Sequence, residues 1–221
     1  MKTLENLKTL KELYIYKSMG YMYFKEEEKC QSEIVSSTVP NSFTLLKSTV
    51  LNCHLCSLAK SRKNIVFGEG NTNAKLMFIG EAPGASEDSM GRPFVGQAGI
   101  LLTKIIENVF ELKREDVYIA NIIKCRPPNN RVPTLEEAEF CKPYILSQIK
   151  SINPSVIVAL GSTSYHYLTG EYDTPISRVR GEVLAFQNAK LIPTFHPSYL
   201  LRNPSAKKDV YQDMLKVKGL L

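Results

Sequence analysis

The stretch from Gly80 to Gly99, GEAPGASEDSMGRPFVGQAG, constrains this chain more than any other. Just before it, Lys75-Leu-Met-Phe-Ile79 is a short apolar run of the kind that forms a strand buried on both faces. Just after it, Ala98, Leu101, Leu102, Ile105, Ile106 and Val109 recur at helical spacing and predict a helix packed on a core. The crossing between them carries several glycines, Pro83 and Pro93, the carboxylates of Glu81, Glu87 and Asp88, and Phe94. In an open parallel sheet, ligands bind beyond the carboxyl ends of the strands. The crossing is therefore where a site is expected.

The rest of the chain alternates in the same manner. Val117-Tyr-Ile-Ala-Asn-Ile-Ile123 and Val156-Ile-Val-Ala-Leu160 read as strands, with Asn121 an odd amide in the first of them. Thr134 and Glu137 spell a capping box, opening a helix with Ala138, Cys141, Ile145, Ile149 and Ile152 on one stripe. A further helix is expected near Ser164, and Gly170 to Gly181 reads as loop. Val183–Phe186 and Lys190–Pro193 read as two short strands, the second leading into Thr194-Phe-His-Pro-Ser198, and a last helix starts near Lys207. This alternation predicts an α/β fold with a mostly parallel sheet. Residues 1–28 read as a helix with Leu4, Leu7, Leu10 and Leu13 on one face, and 31–44 as a Ser/Thr-rich linker. The expected organisation is an N-terminal extension and linker over 1–44 and one domain over 45–221.

Composition narrows the function class. A net charge of +6 favours a polyanionic partner, and no apolar run is long enough to span a membrane. The N-terminus, MKTLENLKTLKEL, is broken by charges, is not read as a secretory signal, and points to the cytoplasm. Five cysteines in a reducing compartment more often bind metal than form disulfides. Cys53 and Cys56 form a CxxC, Cys125 follows a strand and Cys141 lies on the next helix. Together they suffice for a tetrahedral thiolate site, which suits zinc or an iron–sulfur cluster equally. Cys30 reads as a bystander, as do His54 and His166.

GEAPG with Glu87 behind it, GRPFVG, ANIIKCRPP and HPSYLLR, in that order around the four cysteines, resemble the family 4 uracil-DNA glycosylases over roughly Leu51 to Lys216. The resemblance implies a three-layer α/β/α sandwich with a central four-stranded, mostly parallel sheet. It also implies a structural [4Fe-4S] cluster on Cys53, Cys56, Cys125 and Cys141, with zinc the lesser alternative. The implied activity is excision of uracil from single- or double-stranded DNA by a monomer. A flipped base needs an aromatic face, which Phe94 offers, and an amide to read its edge, which Asn121 offers. His196 is the candidate donor to uracil O2, with backbone around Ala82 and Pro83 assisting. The motif position that holds aspartate in family 1 is Ala82 here, which turns attention to Glu81 for the attacking water. Glu87 is expected to crowd uracil C5. Leu200 and Leu201 are candidates to fill the gap in the duplex, with Arg202 and Lys207, and further arginines at 126, 131, 178 and 180, on phosphates.

Besides a glycosylase of the same fold that prefers mismatched thymine or other deaminated bases, two other readings compete. One is an iron–sulfur uracil-DNA binder that cross-links without turnover; that variant carries an Arg-Arg-Ile-His insertion where this chain has Asn129-Asn-Arg-Val-Pro133. The other is a zinc-stabilised DNA-binding module with no reaction.

Overall fold

The computed structural model describes residues 42–221. The helix read over residues 1–28, Cys30 and the linker up to residue 41 lie outside the described residues. The linker reading ends early, because Phe43 and Thr44 already belong to the first helix, α1 (Phe43–Leu51).

Each strand of the sheet centre is short and apolar. β2 (Leu76–Gly80), β3 (Tyr118–Asn121) and β4 (Val156–Leu160) are buried along their whole length, and β6 (Ala189–Thr194) at every position but one. These four run parallel in the order β3-β2-β4-β6. The sheet nevertheless has six strands, not four. β1 (Glu69–Gly70) pairs antiparallel with β3 at one edge and β5 (Leu184–Phe186) pairs antiparallel with β6 at the other. The two-residue β1 is too short for any periodicity to reveal it.

Period-two alternation divides the core. Met77 and Ile79 face one side of the sheet, with Ala120, Ile157 and Leu191, while Leu76 and Phe78 face the other, with Ile119, Val158 and Ile192. The first side is covered by α4 (Leu135–Ile152) and α5 (Ser162–Thr169), the second by α3 (Gln97–Ile105) and, near the C-terminus, α8 (Lys207–Lys218). This is a three-layer α/β/α sandwich, as the sequence implied. The Thr134 hydroxyl and Glu137 carboxylate form the reciprocal capping box at the start of α4, and the stripe from Ala138 to Ile152 is buried. The apolar stripe of α3 continues past Ile105 through a wider turn, Ile106–Phe110.

Two helical segments inside the stretches read as loop were not foreseen. α2 (Ala85–Met90) lies within the crossing and α6 (Ile176–Val179) within Gly170–Gly181. Both are too short to display a stripe. α7 (Pro197–Arg202) follows β6 directly, with the His196 side chain accepting the Ser198 N–H at its start.

Gly99, early in α3, sits against the backbone of Phe94 so closely that a Cβ would overlap the carbonyl. Gly99→Ala is therefore expected to destabilise the fold by about 2 kcal/mol, within the range for overpacking. A lower urea midpoint at unchanged slope would show it.

Candidate active site

At one edge of the sheet the parallel strands end side by side and deliver residues to one place. β2 is followed by Glu81, β3 ends at Asn121, β4 is followed by Gly161, and β6 ends two residues before His196. Together with Ala82, Pro83, Gly84, Glu87 and Phe94 from the crossing, Glu81, Asn121 and His196 line an open cavity of about 460 Å³. Pro127, Asn130, Arg131, Ser198 and Arg202 complete its wall.

The floor is Gly80. A Cβ there would come within 2.5 Å of both the Phe94 ring and Asn121 Oδ1, so the ring and the amide close over a position only glycine fills. Asn121 is 1% exposed, and its Oδ1 is the one buried side-chain oxygen or nitrogen among the described residues without a hydrogen-bond partner. An unmet buried acceptor costs about 1–3 kcal/mol, a cost removed when a ligand supplies the donor.

Phe94 adopts a left-handed backbone with φ of 50°, which costs a side-chain-bearing residue about 1–2 kcal/mol. The turn is held from two sides. Glu87 Oε1 accepts the N–H groups of Val95 at 2.9 Å and Gly96 at 2.8 Å, and Arg114 donates to the Pro93 carbonyl while pairing with Glu69. Bonds to a charged acceptor contribute about 1.5–3 kcal/mol each, enough to outweigh the strain.

The His196 ring lies 5.7 Å from that of Phe94, tilted by 33°. Its Nδ1 accepts the Ser198 N–H at 3.1 Å and lies 2.7 Å from the Ser198 hydroxyl. A nitrogen that accepts a backbone N–H bears no proton, so the neutral ring carries its proton on Nε2. Burial pushes the imidazole pKa down to about 4; the Arg202 guanidinium adds to the effect and Glu87 opposes it. Gly161, with φ of 90°, lets the His196 side chain approach, since a Cβ there would meet His196 Cβ at 3.0 Å. Glu81 behaves in the opposite sense. Burial raises its carboxyl above the ordinary range, and a hydrogen bond with Thr163 opposes the rise. Desolvation thus acts on an acid and a base in one cavity, the common signature of a catalytic site.

The uracil DNA glycosylase superfamily model matches residues 67–216. The chain belongs to the uracil-DNA glycosylase superfamily. It is 47% identical over 180 residues to a type-4 uracil-DNA glycosylase of Thermotoga maritima, covering 80% of this chain and 93% of that protein. It is 45% identical over 188 residues to a type-4 uracil-DNA glycosylase of Saccharolobus solfataricus, covering 82% and 87%. A type-5 uracil-DNA glycosylase of Pyrobaculum aerophilum is 29% identical over 146 residues, covering 59% of this chain and 64% of that protein.

Within this superfamily frame some expected residues move to other duties. Glu87 lines the cavity, but its Oε1 is engaged by the Phe94 turn, so its first effect is on the shape of that turn. Leu200 does not project outward. It is 1% exposed and packs into the core on the α3 side, because α7 turns it under the helix, whereas Leu201 is 46% exposed. Lys207 is exposed. Arg202 lines the cavity mouth. Arg131 is held by Glu137 at 2.6 Å and Arg180 by Asp213 at 2.8 Å, so neither guanidinium is free for phosphate. Arg126 bonds Asn130, and His166 bonds the Thr174 carbonyl outside the cavity. Thr163, Ser198, Gly80 and Arg114 were not foreseen. Of these, only Ser198, two residues after a histidine that precedes Pro197, had a sequence signal, that of a helix start.

Cys53, Cys56, Cys125 and Cys141 are all free thiols. Among the described residues no three side chains of His, Cys, Asp or Glu are drawn together tightly enough to hold a single metal ion. The four thiols are nonetheless electrostatic neighbours. Burial raises those of Cys56, Cys125 and Cys141, the last to about 12, and the other thiols of the set raise each of them further. Arg62 donates to Cys125 Sγ at 3.3 Å and to the Cys53 carbonyl at 2.6 Å.

The charges around His196 fix the direction of its titration. In an NMR pH series its ring is expected to titrate near pH 4. Arg202→Ala should move that midpoint up and Glu87→Gln should move it down.

Proposed function

We propose that this chain is a type-4 uracil-DNA glycosylase: it takes uracil flipped from DNA into the cavity and hydrolyses its bond to deoxyribose, leaving an abasic site. The observation that carries the reading is the unpartnered, buried Oδ1 of Asn121, a residue that lines one cavity with Phe94 and His196. Uracil presents a donor at N3 and an acceptor at O4, and a primary amide meets both; cytosine presents the reverse. A site built to bond such an edge rejects the wrong base strongly, because its buried groups are then left unpaired. Phe94 supplies the face on which the base stacks.

As the C1′–N1 bond breaks, its electron pair leaves with the uracil ring and spreads to O2. His196 Nε2–H is the donor placed for that oxygen, with backbone around Ala82 and Pro83 beside it. A neutral donor whose pKa is near 4 stays neutral throughout the working range, so it stabilises the anion without surrendering its proton. Glu81, as a carboxylate, orients the water whose oxygen bonds C1′ and balances the positive charge on the sugar; the proton the water gives up to solvent is matched by the one the uracil anion takes from it. Glu87 shapes the wall through the Phe94 turn. Arg202 and Lys207 reach DNA phosphates, and Leu201, rather than Leu200, fills the place of the flipped base.

The four cysteines fit a [4Fe-4S] cluster by donor chemistry: all are soft thiols, with Arg62 at hand to offset thiolate charge. For this donor set zinc is the lesser alternative, and the resemblance to the family 4 glycosylases is what implies the cluster. Its contribution is to tie segments together; no step of the reaction runs through it. No helix among the described residues is long and apolar enough to cross a membrane. A monomer in the cytoplasm, acting on uracil in DNA, is the setting we propose.

An oligonucleotide with one uracil, incubated and then treated with hot alkali, should break only at uracil, with thymine and cytosine controls intact. His196→Ala should lower the single-turnover rate by about 10²–10³-fold, and Glu81→Gln by at least about 10²-fold, both without loss of DNA binding. Intact uracil strands from cluster-loaded protein would overturn the reading, and DNA retained covalently would favour the cross-linking alternative.

The pH dependence has a definite sign. Glu81 acts as the anion and its pKa is raised, so the rate should fall as pH drops through that raised value, before His196 protonates near 4. The acid limb of the rate profile should vanish in Glu81→Gln.

A further inference from the structure

Lys124 is the most unusual residue of the interior that the reaction does not use. It follows β3, three residues after Asn121 and one before Cys125, and it is 1% exposed. Buried lysines are rare unless their ammonium is fully bonded. Here Nζ donates to the backbone carbonyl of Asn121 at 2.8 Å and to Gln148 Oε1 at 2.6 Å. Gln148 is itself 0% exposed and fixed in place, its Nε2 donating to the Phe67 carbonyl and the Tyr118 hydroxyl, each at 3.0 Å. On its other side Lys124 meets the cysteines: its backbone bonds Cys141, and Cys125 follows it in the chain.

We infer that Lys124 is a positioning residue for base recognition, clamping the backbone of Asn121. Asn121 stands where β3 leaves the sheet. Its Oδ1 has no hydrogen-bond partner among the described residues to steady it, and on the proposed reading it is kept for the base. The aim of the amide therefore depends on its backbone. The neighbouring N–H groups of Ile122 and Ile123 bond the carbonyls of Gly80 and Glu81. Lys124 secures the Asn121 carbonyl, and Gln148 braces Lys124 from α4. An error of an ångström at a recognition group is costly when the pocket has no slack. The clamp is made by hydrogen bonds and packing.

The inference rests on the proposed glycosylase reading, and the test keeps the two apart. The full chain with its cluster is prepared as wild type, as Lys124→Met, which keeps the length and loses both donors, and as Gln148→Met, which leaves Lys124 and the cysteines in place but removes the brace. Three quantities are measured: the visible absorption of the cluster per chain, inhibition of base release by free uracil, and affinity for an abasic-site duplex. Lys124→Met is expected to weaken uracil inhibition at least about tenfold, and Gln148→Met a few-fold, at wild-type abasic-site affinity and cluster absorption. Should Lys124→Met fail to fold, Gln148→Met decides alone. Folded variants with wild-type uracil inhibition would overturn the inference. So would weakened inhibition found only together with lost cluster absorption, since Lys124 would then serve the thiols and not the amide. Wild-type protein that releases no uracil would instead sink the glycosylase reading.

Discussion

The cavity exists because Phe94 is held in a backbone conformation it would not choose. Its ring reaches the floor at Gly80 only with φ of 50°, and that geometry is maintained by the Glu87 carboxylate, which takes the next two N–H groups along the chain. Other constraints lock to the same turn. Gly99 is needed because α3 starts against the Phe94 carbonyl, and Gly80 because the ring lies over it. Arg114 holds Pro93 from behind, and its partner Glu69 belongs to the edge strand β1, which also draws in Arg92. A stacking face stiffened in this way loses little further freedom when a base arrives, so less of the interaction energy is spent on ordering.

Around that turn the sheet performs a division of labour. Parallel strands all end at the same edge, so β2, β3, β4 and β6 bring an acid, an amide, a glycine and an imidazole together without any long-range loop having to be ordered. Desolvation then pushes Glu81 up and His196 down the pH scale: it keeps the ring neutral, as its assigned donor role needs, and works against the carboxylate form in which Glu81 acts. The nearby Arg202 charge would be unwelcome beside an imidazolium; beside a neutral ring it reinforces the donor and favours negative charge on the departing base.

Much of this was legible in the sequence, for physical reasons. β2, β4 and the long helix α4 declare themselves because strands covered on both faces must be apolar throughout and because the Thr134–Glu137 box can close only at a helix start. The ends of strands could be placed to within a residue or two, which put Glu81, Asn121, Phe94 and His196 in one neighbourhood. What could not be read is what depends on direction at short range. Leu200 and Leu201 are adjacent and chemically alike, and only the turn of α7 decides that the first enters the core and the second faces solvent. Arg131 and Arg180 look like phosphate ligands until their carboxylate partners, brought from elsewhere in the chain, are seen to occupy them. Glu87 looked like a wall against a methyl group because its bond to the Phe94 turn depends on the unforeseen helix α2.

The position of the thiols follows from where the fold is weakest. Between α1 and β2 the chain has only a single turn at Ser57–Lys60 and the two-residue β1, little regular structure to bury or brace. It is fastened at scattered points instead: Val66 N–H on the Lys124 carbonyl, the Lys63 and Asn64 N–H groups on the buried Asp88, and the Phe67 carbonyl on Gln148. Asp88 sits next to Glu87 on α2, and Lys124 next to Cys125 after β3, so these fastenings adjoin the two elements that shape the cavity. A cross-link on Cys53, Cys56, Cys125 and Cys141 would close this segment onto β3 and α4 at little entropic cost, because the ends are already near. A cross-link placed there would brace a segment with little regular structure, beside the amide whose position the proposed recognition of uracil depends on.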